Sequence, residues 1–175
     1  MKILVTVASK HGATDAIGQT IAETLREEGL EVDLVPPPAV GDLEPYDGVV
    51  IGSAVYVGRW LEPARTLVER RARELQSRPV WLFSSGPLGA DLKPVEPPTD
   101  ATRMLELSGA REHKVFAGSL AREGLGLAER AVVGMVKAPY GDFRNWPAVT
   151  AWARWVAHEL GASPVAAELG APQAV

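Results

Sequence analysis

The feature that most constrains this chain is an alternation. Short apolar, β-branched runs take turns with amphipathic helical stretches along most of its length. The run Lys2 to Ala8 reads as a strand buried on both faces. Ala13, Ile17, Ile21 and Leu25 then recur at helical spacing, and Gly29 stops that helix. Glu31 to Val35 alternates like a more exposed strand and ends at Pro36, Pro37 and Pro38. Val49 to Ser53 is the third strand. A helix with Trp60 and Leu61 at its head follows, with Pro63 tolerable in its first turn. Pro79 to Ser84 is the fourth strand, 100–108 a short helix ending at Gly109, and Lys114 to Ser119 the fifth strand. Val149, Trp152, Val156 and Leu160 mark a last helix ending at Gly161. Strict β-α alternation predicts a three-layer α-β-α sandwich around a five-stranded parallel sheet. Right-handed crossovers favour strand order 2-1-3-4-5. Residues 1–161 form one domain in this reading, and the Ala/Pro-rich 162–175 is a disordered tail.

In that topology ligands bind at the carboxyl ends of the first and third strands. Three loops meet there. The first holds Ser9, Lys10, His11, Gly12, Ala13 and Thr14. Two hydroxyls, a glycine and the positive end of a helix dipole gather around one point, which suits a phosphate. The competing reading is that the hydroxyls simply cap the helix. The loop has neither the Gly-Lys-Ser/Thr of a nucleotide hydrolase nor a Gly-x-Gly-x-x-Gly pattern. The second loop holds Ser53, Ala54, Val55, Tyr56, Val57 and Gly58, followed by Arg59 and Trp60. Tyr56 is its candidate for stacking on a flat ligand, while Trp60 reads as core. The third holds Ser84, Ser85, Gly86, Pro87, Leu88 and Gly89, the residues of tight turns. A phospho-acceptor receiver domain shares the strand order but needs acidic residues where Ser9 and Ser53 stand and a lysine where Ser119 stands.

Composition narrows the function classes. A net charge of −4 argues against a nucleic-acid partner, and zero cysteines exclude disulfides, thiol catalysis and Cys-based zinc sites. His11, His113 and His158 are too scattered for a His-rich centre, so no metal is expected. No apolar run approaches the roughly 20 residues that span a bilayer, and one lysine followed by a strand is no signal-peptide layout. A cytoplasmic location is the default expectation.

Ser9 to Thr14 resembles the phosphate loop of flavodoxin-type FMN-binding domains, and the other two loops stand where that superfamily clasps the isoalloxazine ring. The likeness is closer to the menaquinone-dependent protoporphyrinogen oxidases and their flavodoxin-domain relatives. Val50 to Gly58 resembles their VVIG-(A/S)-x-x-x-x-G segment, and Phe116 to Leu120 their xAGxL strand. Gly141 to Trp146 resembles their D-x-R-x-W lead into the final helix. The resemblance spans about residues 1–160. It implies a flavodoxin-like fold, FMN as cofactor held by the three loops, and oxidoreductase chemistry. It also implies a small-molecule or quinone substrate, or a redox partner protein.

In those oxidases the insertion after the fifth strand is long, basic and aromatic, and is thought to serve membrane or quinone contact. Here 121–142 has only Arg122, Arg130 and Lys137 as basic residues. Leu125, Leu127, Val132, Val133, Met135 and Val136 form an apolar patch instead. That patch can pack on its own domain or cover the flavin, a partner, a homodimer interface or a membrane surface. Arg59 and Lys93 lie in or beside the ring-clasping loops, where positive charge favours the reduced flavin anion and two-electron chemistry. Three functions compete: an FMN-dependent oxidoreductase, a small electron-transfer flavodoxin, and an interaction module that has lost FMN. No catalytic acid or base is named by the residues.

Overall fold

The computed structural model describes residues 1–56, 58–86, 99–120, 126 and 140–161. Within these, β1 (Lys2–Ala8) leads to α1 (Ala13–Glu27), β2 (Glu31–Leu34) and a 3-10 turn at Pro37–Ala39. β3 (Gly48–Tyr56) and β4 (Arg59–Trp60) precede α2 (Glu62–Leu75), β5 (Val80–Ser85) and α3 (Ala101–Ser108). β6 (Glu112–Phe116), β7 (Ser119–Leu120), β8 (Gly141–Asp142) and α4 (Trp146–Glu159) complete the order. The parallel sheet runs β2-β1-β3-β5-β6, which is 2-1-3-4-5 when only the long parallel strands are counted.

Side-chain alternation divides the core. Ile3, Val5 and Val7 of β1 face α1 and α4, as do Val50 of β3 and Trp81 and Phe83 of β5. Leu4 and Ala8, Val49 and Ile51, and Val80 and Leu82 face the other way, toward α2 and α3. Strands apolar on both faces belong in the middle of a sheet covered by helices. α1 ends in a Schellman turn. Gly29, at φ 87°, donates to the Arg26 carbonyl, and the Leu30 N–H reaches back to Leu25. Asn145 caps α4 by accepting from the Ala148 N–H at 3.0 Å.

Close packing explains two glycines. A Cβ on Gly52 would lie 2.1 Å from Phe83 Cζ, and one on Gly18 would lie 2.4 Å from Val7 Cγ2. The Phe83 ring cannot easily yield, because it meets Phe116 and Trp152 edge-on at centroid distances of 5.9 and 6.2 Å. Phe116 and Trp152 meet each other at 5.6 Å, so three aromatics lock β5, β6 and α4 together.

The structure shifts several boundaries. β3 continues through Tyr56 and folds back on β4 as a hairpin, so Trp60 lies on a strand and not at the head of a helix. Trp60 is nonetheless core. β6 begins at Glu112 and leaves the sheet after Phe116. There the Phe116 carbonyl accepts from Gly86 N–H at 3.1 Å, short of the expected end at Ser119. Of the three α4 tryptophans, Trp152 is buried, while Trp146 and Trp155 are 36% and 41% exposed. Helical spacing puts them on the flank of the stripe. The tail 162–175 lies outside the described residues.

Gly52→Ala is expected to destabilise the fold by about 1–3 kcal/mol through overpacking, read as a lowered urea midpoint. An unchanged midpoint would mean that the Phe83 ring has room to move.

Candidate functional site

Because all long strands are parallel, their carboxyl ends lie on one edge. β1 leaves that edge at Ala8, and the chain turns through Ser9 to Gly12 into α1. Gly12 sits in the left-handed region at φ 81°, and no side chain caps the helix. The hydroxyls therefore do not serve as the helix cap. Ser9 Oγ instead accepts from the Gly12 N–H at 3.2 Å. The first intrahelical bond is Ala16 N–H to the Gly12 carbonyl, which leaves Ala13, Thr14 and Asp15 N–H ahead of the ladder. A Cβ built on Gly12 meets nothing within 4 Å, so the space over the turn is open. Thr14 is buried in the first turn, while Lys10 and His11 are exposed.

The second loop is a tight hairpin rather than an open connection. Val55 pairs with Trp60 and Tyr56 with Arg59 across a turn at Gly58, φ 73°. The Gly58 carbonyl accepts from Thr99 N–H at 2.8 Å and Thr99 Oγ1 at 3.1 Å. Asp100 accepts from the Trp60 N–H at 3.1 and 3.2 Å. The hairpin reaches toward the first loop. The Tyr56 and His11 rings lie 6.3 Å apart, and Lys10 Nζ is 5.4 Å from the Tyr56 ring centre. Arg59 is exposed on the hairpin. Ala54 is buried and Val55 half-buried.

The third loop starts where β5 ends. Ser85 is buried and Gly86 has φ 109°. Gly118 backs this point so closely that a Cβ there would lie 3.2 Å from Gly86 N and from Ser85 Oγ. Val57, Pro87, Leu88, Gly89 and Lys93 lie outside the described residues, as does most of 121–142.

Two of the expected site hydroxyls are engaged inside the protein. Ser53 Oγ donates to the Ala54 carbonyl at 2.8 Å and accepts from Leu61 N–H at 2.9 Å. Ser84 Oγ accepts from Trp60 Nε1 at 2.7 Å and lies 2.7 Å from His113 Nε2. Because its oxygen already accepts from Trp60, Ser84 has its own proton to give to a neutral imidazole. Burial pushes the His113 ring below its ordinary value, against the smaller pull of Glu112 and Asp100. These hydroxyls brace the loops and are not brought to their open side.

His113, Asp100 and Arg144 act at this edge without having been singled out individually by the sequence. The partners of His113 and Asp100 lie far along the chain, as does Ala13 for Arg144, and only the D-x-R-x-W motif pointed toward Arg144. Its guanidinium bonds Asp142 through Nε and Nη2 at 2.8 and 2.5 Å and lies 4.6 Å from the Trp146 ring centre. The ion pair holds the Asp142 carboxyl below its usual range. A groove of about 170 Å³ lies on the far flank of α1, between Asp15, Gln19 and Leu34 to Pro36. Its lining includes no residue of the three loops.

The family described as "flavodoxin domain" matches residues 4–145. Protoporphyrinogen IX dehydrogenase [quinone] of Escherichia coli K12 is 25% identical over 173 residues, covering 90% of this chain and 96% of that protein. An archaeal flavodoxin superposes with a TM-score of 0.63 at 15% identity, covering 92% of this chain and 99% of its own. Flavodoxin 2 of Bacillus cereus superposes at 0.59 with 22% identity, over 91% and 99% of the two chains. The structural likenesses speak to the fold. Among the described residues, no helix is long and apolar enough to cross a membrane.

The depressed His113 ring gives a signed pH dependence. The unfolded chain binds the proton more readily, so this contribution to stability is full above about pH 6.5 and is lost as pH falls through the folded value. The stability difference between the protein and a His113→Gln variant should therefore shrink from pH 8 to pH 5. A difference independent of pH in paired thermal melts would contradict this.

Proposed function

The chain belongs to the flavodoxin-domain family, and from that premise we propose an FMN-dependent oxidoreductase that passes electrons between an organic substrate and a quinone or protein partner. Protoporphyrinogen, the substrate in the name of the E. coli relative, is the first candidate, with a quinone as acceptor. FMN is the cofactor that the family brings, and the residues present fit it. The observation that carries the reading is the open turn over left-handed Gly12, with first-turn amides pointing out of an uncapped helix. Ser9, Gly12, Ala13 and Thr14 would hold the phosphate through N–H and hydroxyl donors, with Lys10 and His11 adding charge. Tyr56 would stack on the ring, and the backbone of Gly58 and of 84–89 would meet its polar edge.

Bound FMN supplies the redox chemistry. The chain's own part is to orient it and set its charge balance. Arg59 stands exposed on the hairpin, where a cation compensates the negative charge gained on reduction. Together with Lys93 it favours transfer of electrons in pairs, as oxidation of an organic substrate requires. β7 and β8 pair Ser119 with Asp142 and Leu120 with Gly141, on the edge that carries the loops. Leu120 and Gly141, which bound the intervening sequence, are thereby held together beside the site, which supports a role for that sequence toward substrate or partner.

The protein loaded with FMN should be reduced by protoporphyrinogen IX under anaerobic conditions and reoxidised by a menaquinone analogue, both followed by flavin absorbance. Reductive titration should proceed in one two-electron stage. Two well-separated one-electron stages, with reoxidation only by protein acceptors, would instead make it an electron-transfer protein. Ser9→Ala and Thr14→Ala should each weaken FMN binding by about 1–3 kcal/mol, the loss of one bond to a charged group. Ser53→Ala should lower stability with little change in FMN affinity, because that hydroxyl bonds inward. Fluorescence titration separates the two outcomes.

A further inference from the structure

We propose that Arg144 is a positioning residue of the phosphate cradle, acting through the peptide that joins Ala13 to Thr14. The proposal rests on the assignment of Ser9 to Thr14 to the FMN phosphate. Arg144 Nη1 donates to the Ala13 carbonyl at 3.3 Å, across 131 positions of sequence. That carbonyl and the Thr14 N–H belong to one planar trans peptide, so they point in opposite directions. Ala13 is the first residue of α1, so the helix already sets this peptide, and Arg144 adds a second, charged hold on the carbonyl opposite the Thr14 N–H. A charged donor on the carbonyl also polarises the peptide and strengthens the N–H as a donor.

The electrostatics need a reason for a cation in this place. The first turn of α1 is the positive end of its dipole, where a cation is disfavoured. Yet the Arg144 side chain is only 16% exposed, so it sits there partly desolvated. Its position is strongly determined. Asp142 takes the fork on two atoms and also accepts the Arg144 backbone N–H at 3.1 Å, and Trp146 flanks the guanidinium. Phe143 N–H donates to the Gly118 carbonyl at 3.1 Å and anchors the strand that carries them. Asp142 offsets the Arg144 charge and Asp15 is the acidic residue in the first turn of α1, while exposed Lys10 adds positive charge beside the turn. A phosphate over Gly12 completes the balance.

The test compares two flavins that differ in the phosphate. The full-length apoprotein is titrated with FMN and with riboflavin, for the wild type, Arg144→Gln and Arg144→Lys, with thermal melting as a fold control. For Arg144→Gln we expect FMN affinity to fall about tenfold, with riboflavin affinity within about twofold of wild type, as for loss of one charge-assisted contact. Arg144→Lys, which keeps the charge but not the fork, should show a smaller loss of the same selectivity. If Arg144→Gln does not fold, Arg144→Lys is judged by the same ratio. Equal losses for both flavins, or unchanged FMN affinity in a folded variant, would overturn the proposal and leave the cradle standing. A wild type that binds FMN no more tightly than riboflavin would overturn the cradle assignment and this proposal with it.

Discussion

The buried parallel pairing of β1 with β3 is the constraint on which the rest depends. Register runs from Ile3 opposite Gly48 to Ala8 opposite Ser53, with β2 on one flank and β5 on the other. Both strands are apolar on both faces, so their backbone groups have no solvent to turn to and must satisfy one another. A slip of one residue would exchange the two cores, setting Val5 against the α2 side and Leu4 against the α1 side. The pairing thus fixes the sheet. It also fixes where Ser9 and Tyr56 emerge, since Ser9 follows the last paired residue of β1 and Tyr56 lies three residues past the last β3 residue paired with it.

What could be read from the residues follows the range of the interactions. Alternation, helix stops at Gly29 and Gly109, and the proline-tolerant start of α2 are local, and they identified most of the sheet and its order. The hairpin of β3 and β4 was hidden because Ala54, Val55 and Tyr56 are as plausible in a loop as in a strand. Their pairing with Arg59 and Trp60 is held by Thr99 and Asp100, some forty residues onward. Trp146 and Trp155 carried no local sign of exposure. At the candidate site, Gly12 and the first turn of α1 were legible as an anion-friendly turn. Whether Ser53 and Ser84 pointed inward or outward was not, because Leu61, Trp60 and His113 decide it.

The inward-facing hydroxyls divide the site into two kinds of material. Trp60, Ser84 and the half-buried His113 form a hydrogen-bonded chain beneath the loops, and Ser53 bonds the Ala54 and Leu61 backbone beside it. Among the described residues the outward side carries the Lys10, His11 and Arg59 side chains and the backbone of Gly12, Gly58 and Gly86, whose φ values favour glycine. Backbone donors have few soft torsions, so such a surface is stiff and needs little reordering to receive a ligand.

The small ribbon of β7 and β8 has a consequence for how such a protein diverges. Ser119 and Asp142 are joined across the base of everything between them, and Gly118 and Phe143 tie that base to the domain. A segment closed at its foot can be lengthened, shortened or recoloured in charge without passing strain into the sheet, since loop closure grows only slowly in cost with length. The paired foot of Ser119 and Asp142 thus decouples the length of the connection from the sheet behind it.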